Sequence, residues 1–145
     1  KSEGYVDAGY DTLHIDDCWQ GGRHQSGDKK GRLYADPRRF PTGIEGMKSY
    51  MTSNGMKFGL YGGAGIFTCE GWVGGHLHQE KLDIHTLADW GIDYYKLDGC
   101  FLNTEKALDD AYLTFTGELN SYYLANKTKD FYSNWNGFVM SCSWP

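Results

Sequence analysis

Two segments of this chain end in side chains that can do chemistry. Gly9-Tyr10-Asp11-Thr12-Leu13-His14-Ile15-Asp16-Asp17-Cys18-Trp19 carries the alternating Leu13 and Ile15 of a strand, then stops on two carboxylates, a cysteine and a tryptophan. Tyr94-Tyr95-Lys96-Leu97-Asp98-Gly99-Cys100 ends in the same style, with a carboxylate and a cysteine. Carboxylates gathered at strand ends with aromatics beside them suit the cleavage of a sugar. One carboxylate acts at the anomeric carbon, others accept bonds from hydroxyls, and rings stack on the sugar face.

Asp98 is the sharpest candidate for a nucleophile. Lys96 lies two residues earlier, and residues i and i+2 of a strand face one side, so its ammonium would keep the carboxylate ionised. A Lys96–Asp98 ion pair that only organises the strand end fits the same spacing. Asp16 and Asp17 are adjacent and would face opposite ways in a regular strand, but a turning strand end can aim both at vicinal hydroxyls. Helix capping, loop anchoring or cation ligation are the other readings of the pair. Calcium would want more oxygen ligands than this segment offers, so no metal is expected. Trp19, Tyr61 and Trp144 follow or end strands and could flank a sugar ring, although each alone is equally core material. Gly62-Gly63-Ala64-Gly65 lacks the ending of a phosphate loop and the spacing of a dinucleotide fingerprint. It reads as a tight, ligand-hugging loop, and no cofactor is expected. His14, His24, His76, His78 and His85 form no ligand pattern, and His76 and His78 sit in a Gly-rich stretch read as solvated.

The elements that must position these groups are legible as strands at Thr12–Ile15, Lys57–Tyr61, Tyr94–Leu97 and Phe138–Ser141. Helical stretches lie between them. Ile44–Asn54 is closed by Gly55, Leu82–Trp90 by Gly91, and Thr104–Leu119 presents Leu108, Ala111, Tyr112 and Phe115. Gly21–Pro41 and Asn120–Asn136 read as loops, the second as a surface excursion. Asp17, Tyr61, Asp98 and Ser143 recur roughly every 40 residues, as repeated strand–loop–helix units of ~30 or more residues would place them. Short strands alternating with helices mean a parallel sheet, either a (β/α)8 barrel or a doubly wound sheet. Polar residues at the C-terminal ends of several strands favour the barrel.

The chain has 145 residues, 40% of them hydrophobic and 16% aromatic, with 20 glycines. One core and a loop-rich face follow. The net charge of -5 argues against nucleic acid or an anionic membrane as partner. No apolar run approaches the ~20 residues of a membrane helix. Lys1-Ser2-Glu3-Gly4, continued by Val6 and Ala8, reads as the middle of an amphipathic helix, and the chain as part of one catalytic domain truncated at both ends. Cys18, Cys69, Cys100 and Cys142 form no C-x-x-C pair and allow three internal pairings, or four buried thiols. Asn126-Lys127-Thr128 is the one N-glycosylation sequon and agrees with a secretory protein.

The ordered motifs Ile15-Asp16-Asp17-Cys18-Trp19, Ala35-Asp36-Pro37, Arg39-Phe40-Pro41, Lys57-Phe58-Gly59-Leu60-Tyr61, Thr68-Cys69, Trp90-Gly91-Ile92-Asp93, Lys96-Leu97-Asp98-Gly99-Cys100 and Ser141-Cys142-Ser143-Trp144-Pro145 give the chain a strong resemblance to the retaining α-galactosidases and α-N-acetylgalactosaminidases. The resemblance covers almost its whole length. It implies strands two to five of a catalytic (β/α)8 TIM barrel, with Asp98 as nucleophile and Asp16, Asp17, Tyr61 and Lys96 on the sugar hydroxyls. It also implies a Cys69–Cys100 disulfide at the substrate site and partners for Cys18 and Cys142 outside the chain. The general acid/base Asp would lie beyond Pro145, leaving this fragment alone inactive. Substrates would be α-galactosyl or α-N-acetylgalactosaminyl oligosaccharides, glycolipids or glycoproteins, acted on by a lysosomal or secreted homodimer. Ser143 stands where the α-galactosidase pattern has Glu. A small side chain there leaves room for a 2-acetamido group and tilts the expectation towards α-N-acetylgalactosaminidase. The competing class is a non-catalytic sugar-binding relative. A barrel enzyme of phosphorylated metabolites is disfavoured by the missing phosphate loop.

Overall fold

The computed structural model describes residues 3–126 and 138–143. Its elements run β1 (Thr12–Ile15), β2 (Gln20–Arg23), β3 (Leu33–Ala35), α1 (Gly43–Ser53), β4 (Lys57–Gly63), α2 (Glu80–Asp89), β5 (Tyr94–Asp98), α3 (Glu105–Asn126) and β6 (Val139–Cys142). β1, β4, β5 and β6 form a parallel sheet in that order, each pair joined through a helix or a long crossover. This is the succession of βα units that a barrel wall requires.

The two faces of the sheet differ. Phe58 and Leu60 of β4 and Tyr95 and Leu97 of β5 are buried in one cluster with Ile44 and Met51 of α1, Ile84, Leu87 and Ala88 of α2, and Leu108 and Phe115 of α3. The intervening residues Tyr94, Lys96 and Asp98 are half-buried on the other face. Helices and strands are joined sharply. Past α1, Gly55 takes φ +68, its N–H reaches the Thr52 carbonyl and the Met56 N–H reaches Met51. Gly91 repeats this after α2 at φ +67, with Ile92 bonded back to Leu87. The left-handed turn suits glycine, and it lets the next strand begin within a few residues.

Three expectations are corrected. Gly21–Pro41 is not a plain loop, because β2 and β3 pair antiparallel within it and bury Gln20, Leu33 and Ala35. Residues 120–126 continue α3, because Leu119, Tyr122 and Tyr123 extend its core-facing stripe; the rest of the expected Asn120–Asn136 excursion lies outside the described residues. Residues 3–9 form turns rather than a helix, closed by bonds such as Gly9 N–H to the Val6 carbonyl.

Candidate active site

Strand register builds the site. Gly59 pairs with His14 and Tyr94, Tyr61 with Lys96, Lys96 with Ser141, and Gly63 with Asp98. These residues therefore stack in rows on the face turned from the helices, and Asp16, Asp17 and Ser143 follow at the C-terminal ends of β1 and β6. The predicted rim residues Asp17, Tyr61, Asp98 and Ser143 thus share one end of one sheet.

Lys96 does not pair with Asp98. Its Nζ donates to Asp16 Oδ2 at 2.9 Å and stands 4.9 Å from the centroid of the Tyr61 ring. Burial acts to raise the Asp16 carboxyl pKa, but the Lys96 ammonium and the Asp17 N–H outweigh it and hold the group below the ordinary value of 3.8. Asp17 is held by backbone: Cys18 N–H donates to Oδ1 at 2.7 Å and Glu70 N–H to Oδ2 at 2.9 Å. Asp98 Oδ1 accepts the Gly99 N–H at 2.8 Å. Tyr61 is buried, and its hydroxyl accepts the Cys69 N–H at 3.3 Å. Burial raises the Tyr61 pKa far above 10, with the Asp98 and Asp17 charges adding to it, so this phenol stays protonated. Ser143 is exposed, and its N–H donates to the Leu97 carbonyl at 3.1 Å.

Cys69 and Cys100 are joined as a disulfide that ties the loops following β4 and β5. An Asp98 carboxylate oxygen and the two sulfurs lie within 4.8 Å of one another. Sulfurs bonded to each other are not thiolate ligands, so this grouping does not hold a metal. Cys18 and Cys142 are unpaired among the described residues.

Some candidates are placed differently from the expectation. Trp19 is buried beside Trp90 with its Nε1 donating to the Tyr61 carbonyl at 2.8 Å, so it supports the rim from beneath and flanks no ligand. Trp144 lies outside the described residues. The 62–65 glycines are tight, but they hug protein: a side chain at Gly65 would collide with the Cys100 carbonyl, and one at Gly62 with the Tyr95 hydroxyl. Asn126 is 7% exposed and its amide donates to the Tyr122 carbonyl at 2.8 Å, so a glycan there would need the side chain turned outward.

The largest surprise is His76, which is buried rather than solvated. Its Nδ1 lies 2.5 Å from Asp83 Oδ2 and its Nε2 2.5 Å from the Tyr95 hydroxyl. Asp83 also receives two bonds from Arg23 at 2.6 Å, and Arg23 donates onward to the carbonyls of Gly31 and Gly75. This network joins the β2–β3 hairpin, the loop before α2, α2 itself and β5. It was missed because its members are scattered along the chain with no period, and a Gly-rich context hides a buried ring.

Parallel βα units with carboxylates collected at the C-terminal strand ends define part of a (β/α)8 barrel, at the rim where barrels of this kind place their active sites. A family model described as alpha galactosidase A (Melibiase_2) matches residues 1–145, and the chain belongs to this family. It is 40% identical to alpha-galactosidase A of Homo sapiens over 144 residues, covering 99% of this chain and 30% of the relative. It is also 40% identical to human alpha-N-acetylgalactosaminidase over 143 residues, covering 99% and 31%. The crystal structure of alpha-galactosidase I from Mortierella vinacea superposes with a TM-score of 0.74 at 39% identity, over 83% of this chain and 30% of that one. The chain thus spans about 30% of the length of the relatives it matches.

Proposed function

We propose that the protein carrying this chain is a retaining glycoside hydrolase that removes terminal α-linked galactose or N-acetylgalactosamine, with Asp98 as its nucleophile. The observation that carries this reading is the division of labour at the rim. The Lys96 ammonium is engaged by Asp16, while Asp98 stands two residues on at the end of the same strand β5, on the same face, with one oxygen held by Gly99 N–H. The Asp98 carboxylate attacks the anomeric carbon as the glycosidic C–O bond breaks, and the leaving oxygen takes a proton from an acid/base carboxyl supplied from outside this chain. Water then displaces Asp98 from the opposite side, so configuration is retained; the two carboxyls would stand about 5–5.5 Å apart. Asp16, Asp17 and Lys96 present acceptors and a donor that match vicinal hydroxyls. The disulfide fits an oxidising compartment, lysosomal or secreted.

In the full-length protein, Asp98→Asn should lower kcat by on the order of 10⁴-fold and leave sugar binding largely intact, since the amide keeps the shape but cannot attack. Steady-state kinetics with a parallel binding titration reads this. Near-normal turnover would move the nucleophile elsewhere. Ser143 supports the N-acetylgalactosaminidase side of the reading, because a small exposed residue at the end of β6 leaves space that a glutamate would fill. The equal identities to the two human enzymes support α-galactosidase proper as the second reading.

A further inference from the structure

We infer that Phe67 and Phe101, with Ile66, form a subsite for an apolar leaving group of the glycoside. This rests on the glycosidase reading above and adds the class of substrate. Ile66 and Phe67 lie on the loop after β4 and Phe101 on the loop after β5, so all three stand at the C-terminal rim. They are 55%, 40% and 52% exposed, and the two rings meet edge to face with centroids 6.0 Å apart. Single exposed apolar residues are ordinary, but a contacting aromatic pair beside a candidate nucleophile marks a place where a ligand would exclude water.

The patch is held in place. The Cys69–Cys100 disulfide joins its two loops, and the backbone at Cys100 and Phe101 rests directly on Gly65. The same disulfide touches the Asp98 neighbourhood, so the patch continues outward from the reacting centre. Phe101 sits at φ +61, where a bulky L-residue is rare, and its ring is nonetheless turned to water. A cavity of about 470 Å³ opens alongside, lined by Cys69, Cys100, Phe101, Leu102, Thr104 and Leu108.

Chemistry chooses the occupant. None of the three side chains carries a hydrogen-bonding group, so they cannot read the hydroxyls of a second sugar. A ring face could still stack on a sugar, but with no group here to bond its hydroxyls, the gain from removing apolar surface from water is largest for an alkyl chain. Geometry sets a length requirement. Asp98 attacks opposite the breaking bond, so the first atoms of the leaving group point away from it into the barrel mouth. A methyl group ends there, whereas an alkyl chain of several carbons can bend across the disulfide onto the rings.

The test uses the full-length protein and two glycosides of the sugar it cleaves, methyl and octyl. The octyl glycoside should have a kcat/KM at least about tenfold higher. In the Phe67→Ser/Phe101→Ser double variant the octyl-to-methyl ratio should fall about tenfold, and Phe67→Leu/Phe101→Leu should restore part of it. An unfolded double variant shifts the reading to Phe67→Ser alone, where a smaller fall in the ratio is expected. No octyl preference in the wild type, or a ratio unmoved by either serine variant, overturns the subsite while leaving the glycosidase reading standing. A wild type that cleaves neither glycoside overturns both.

Discussion

Two charged clusters of this chain use the same residue types for opposite ends. Arg23, Asp83, His76 and Tyr95 are enclosed between sheet and helices, with the Asp83 side chain fully buried and the Arg23, His76 and Asp83 groups bonded to one another or to carbonyls. At the rim, the Asp16 side chain is 59% exposed, and among the described residues Asp17 and Lys96 keep hydrogen-bonding capacity that protein does not fill. Charge alone therefore says nothing about role. A saturated cluster fixes geometry, and an unsaturated one at a strand end is available to a substrate.

The contrast is broken most severely from its buried side. Asp83→Asn leaves the largely enclosed Arg23 guanidinium without its countercharge, and should cost about 3–5 kcal/mol of stability, read as a lowered denaturation midpoint. The same group gives a pH signature. Burial acts to raise the Asp83 pKa, but His76 and Arg23 outweigh it and hold the carboxyl below 3.8. A lowered folded-state pKa contributes stability that is complete above the unfolded value and lost as pH falls through the folded one. Wild type should thus lose stability below about pH 4 on a slope that Asp83→Asn removes. An unchanged acid limb in the variant would assign that slope to other carboxyls.

Next in size is the disulfide. Cys69 and Cys100 are 31 residues apart, and replacing both by serine should cost roughly 3–4 kcal/mol in the loop-entropy model. Chemical denaturation of the full-length protein measures it. At the rim, Asp16→Asn should leave the denaturation midpoint in place while weakening sugar binding about tenfold, the loss of one charge-assisted bond. A variant that unfolds early instead would make Asp16 a structural residue like Asp83. An effect of similar size is expected on selectivity. Ser143→Glu should suppress cleavage of α-N-acetylgalactosaminides relative to α-galactosides by ~1–3 kcal/mol, measured as a ratio of kcat/KM values. A wild type with no cleavage of α-N-acetylgalactosaminides would remove the Ser143 argument.

What the amino-acid sequence disclosed follows the same division. The strands around Leu13, Leu60 and Leu97 were readable because apolar residues stop abruptly at polar ends, and Gly55 and Gly91 announced helix termini through their backbone preference. Asp16, Asp17, Lys96 and Asp98 were readable because two segments repeat one local pattern. The hairpin of β2 and β3 escaped because Gln20-Gly21-Gly22-Arg23 carries no apolar alternation at all and its partner is only three residues long. The continuation of α3 to Asn126 escaped because Tyr122 and Tyr123 look like polar surface until packing claims them. His76 and Asp83 escaped for a different reason. Their partners Arg23 and Tyr95 come from remote elements, and only the tertiary fold brings such groups together.

The register of the sheet has a consequence for how this region can change. Side chains on β5 alternate between helix and rim, so Lys96 and Asp98 are in phase with each other and out of phase with Tyr95 and Leu97. Inserting one residue between Tyr94 and Tyr95 would turn the ammonium and carboxylate into the helix layer and present Tyr95 and Leu97 to the mouth. Two inserted residues would keep the phase but move Asp98 one row past Gly63. A change of length should therefore be tolerated best outside the strands, in a segment such as 24–32 between β2 and β3, where the chain can lengthen without re-indexing the rim.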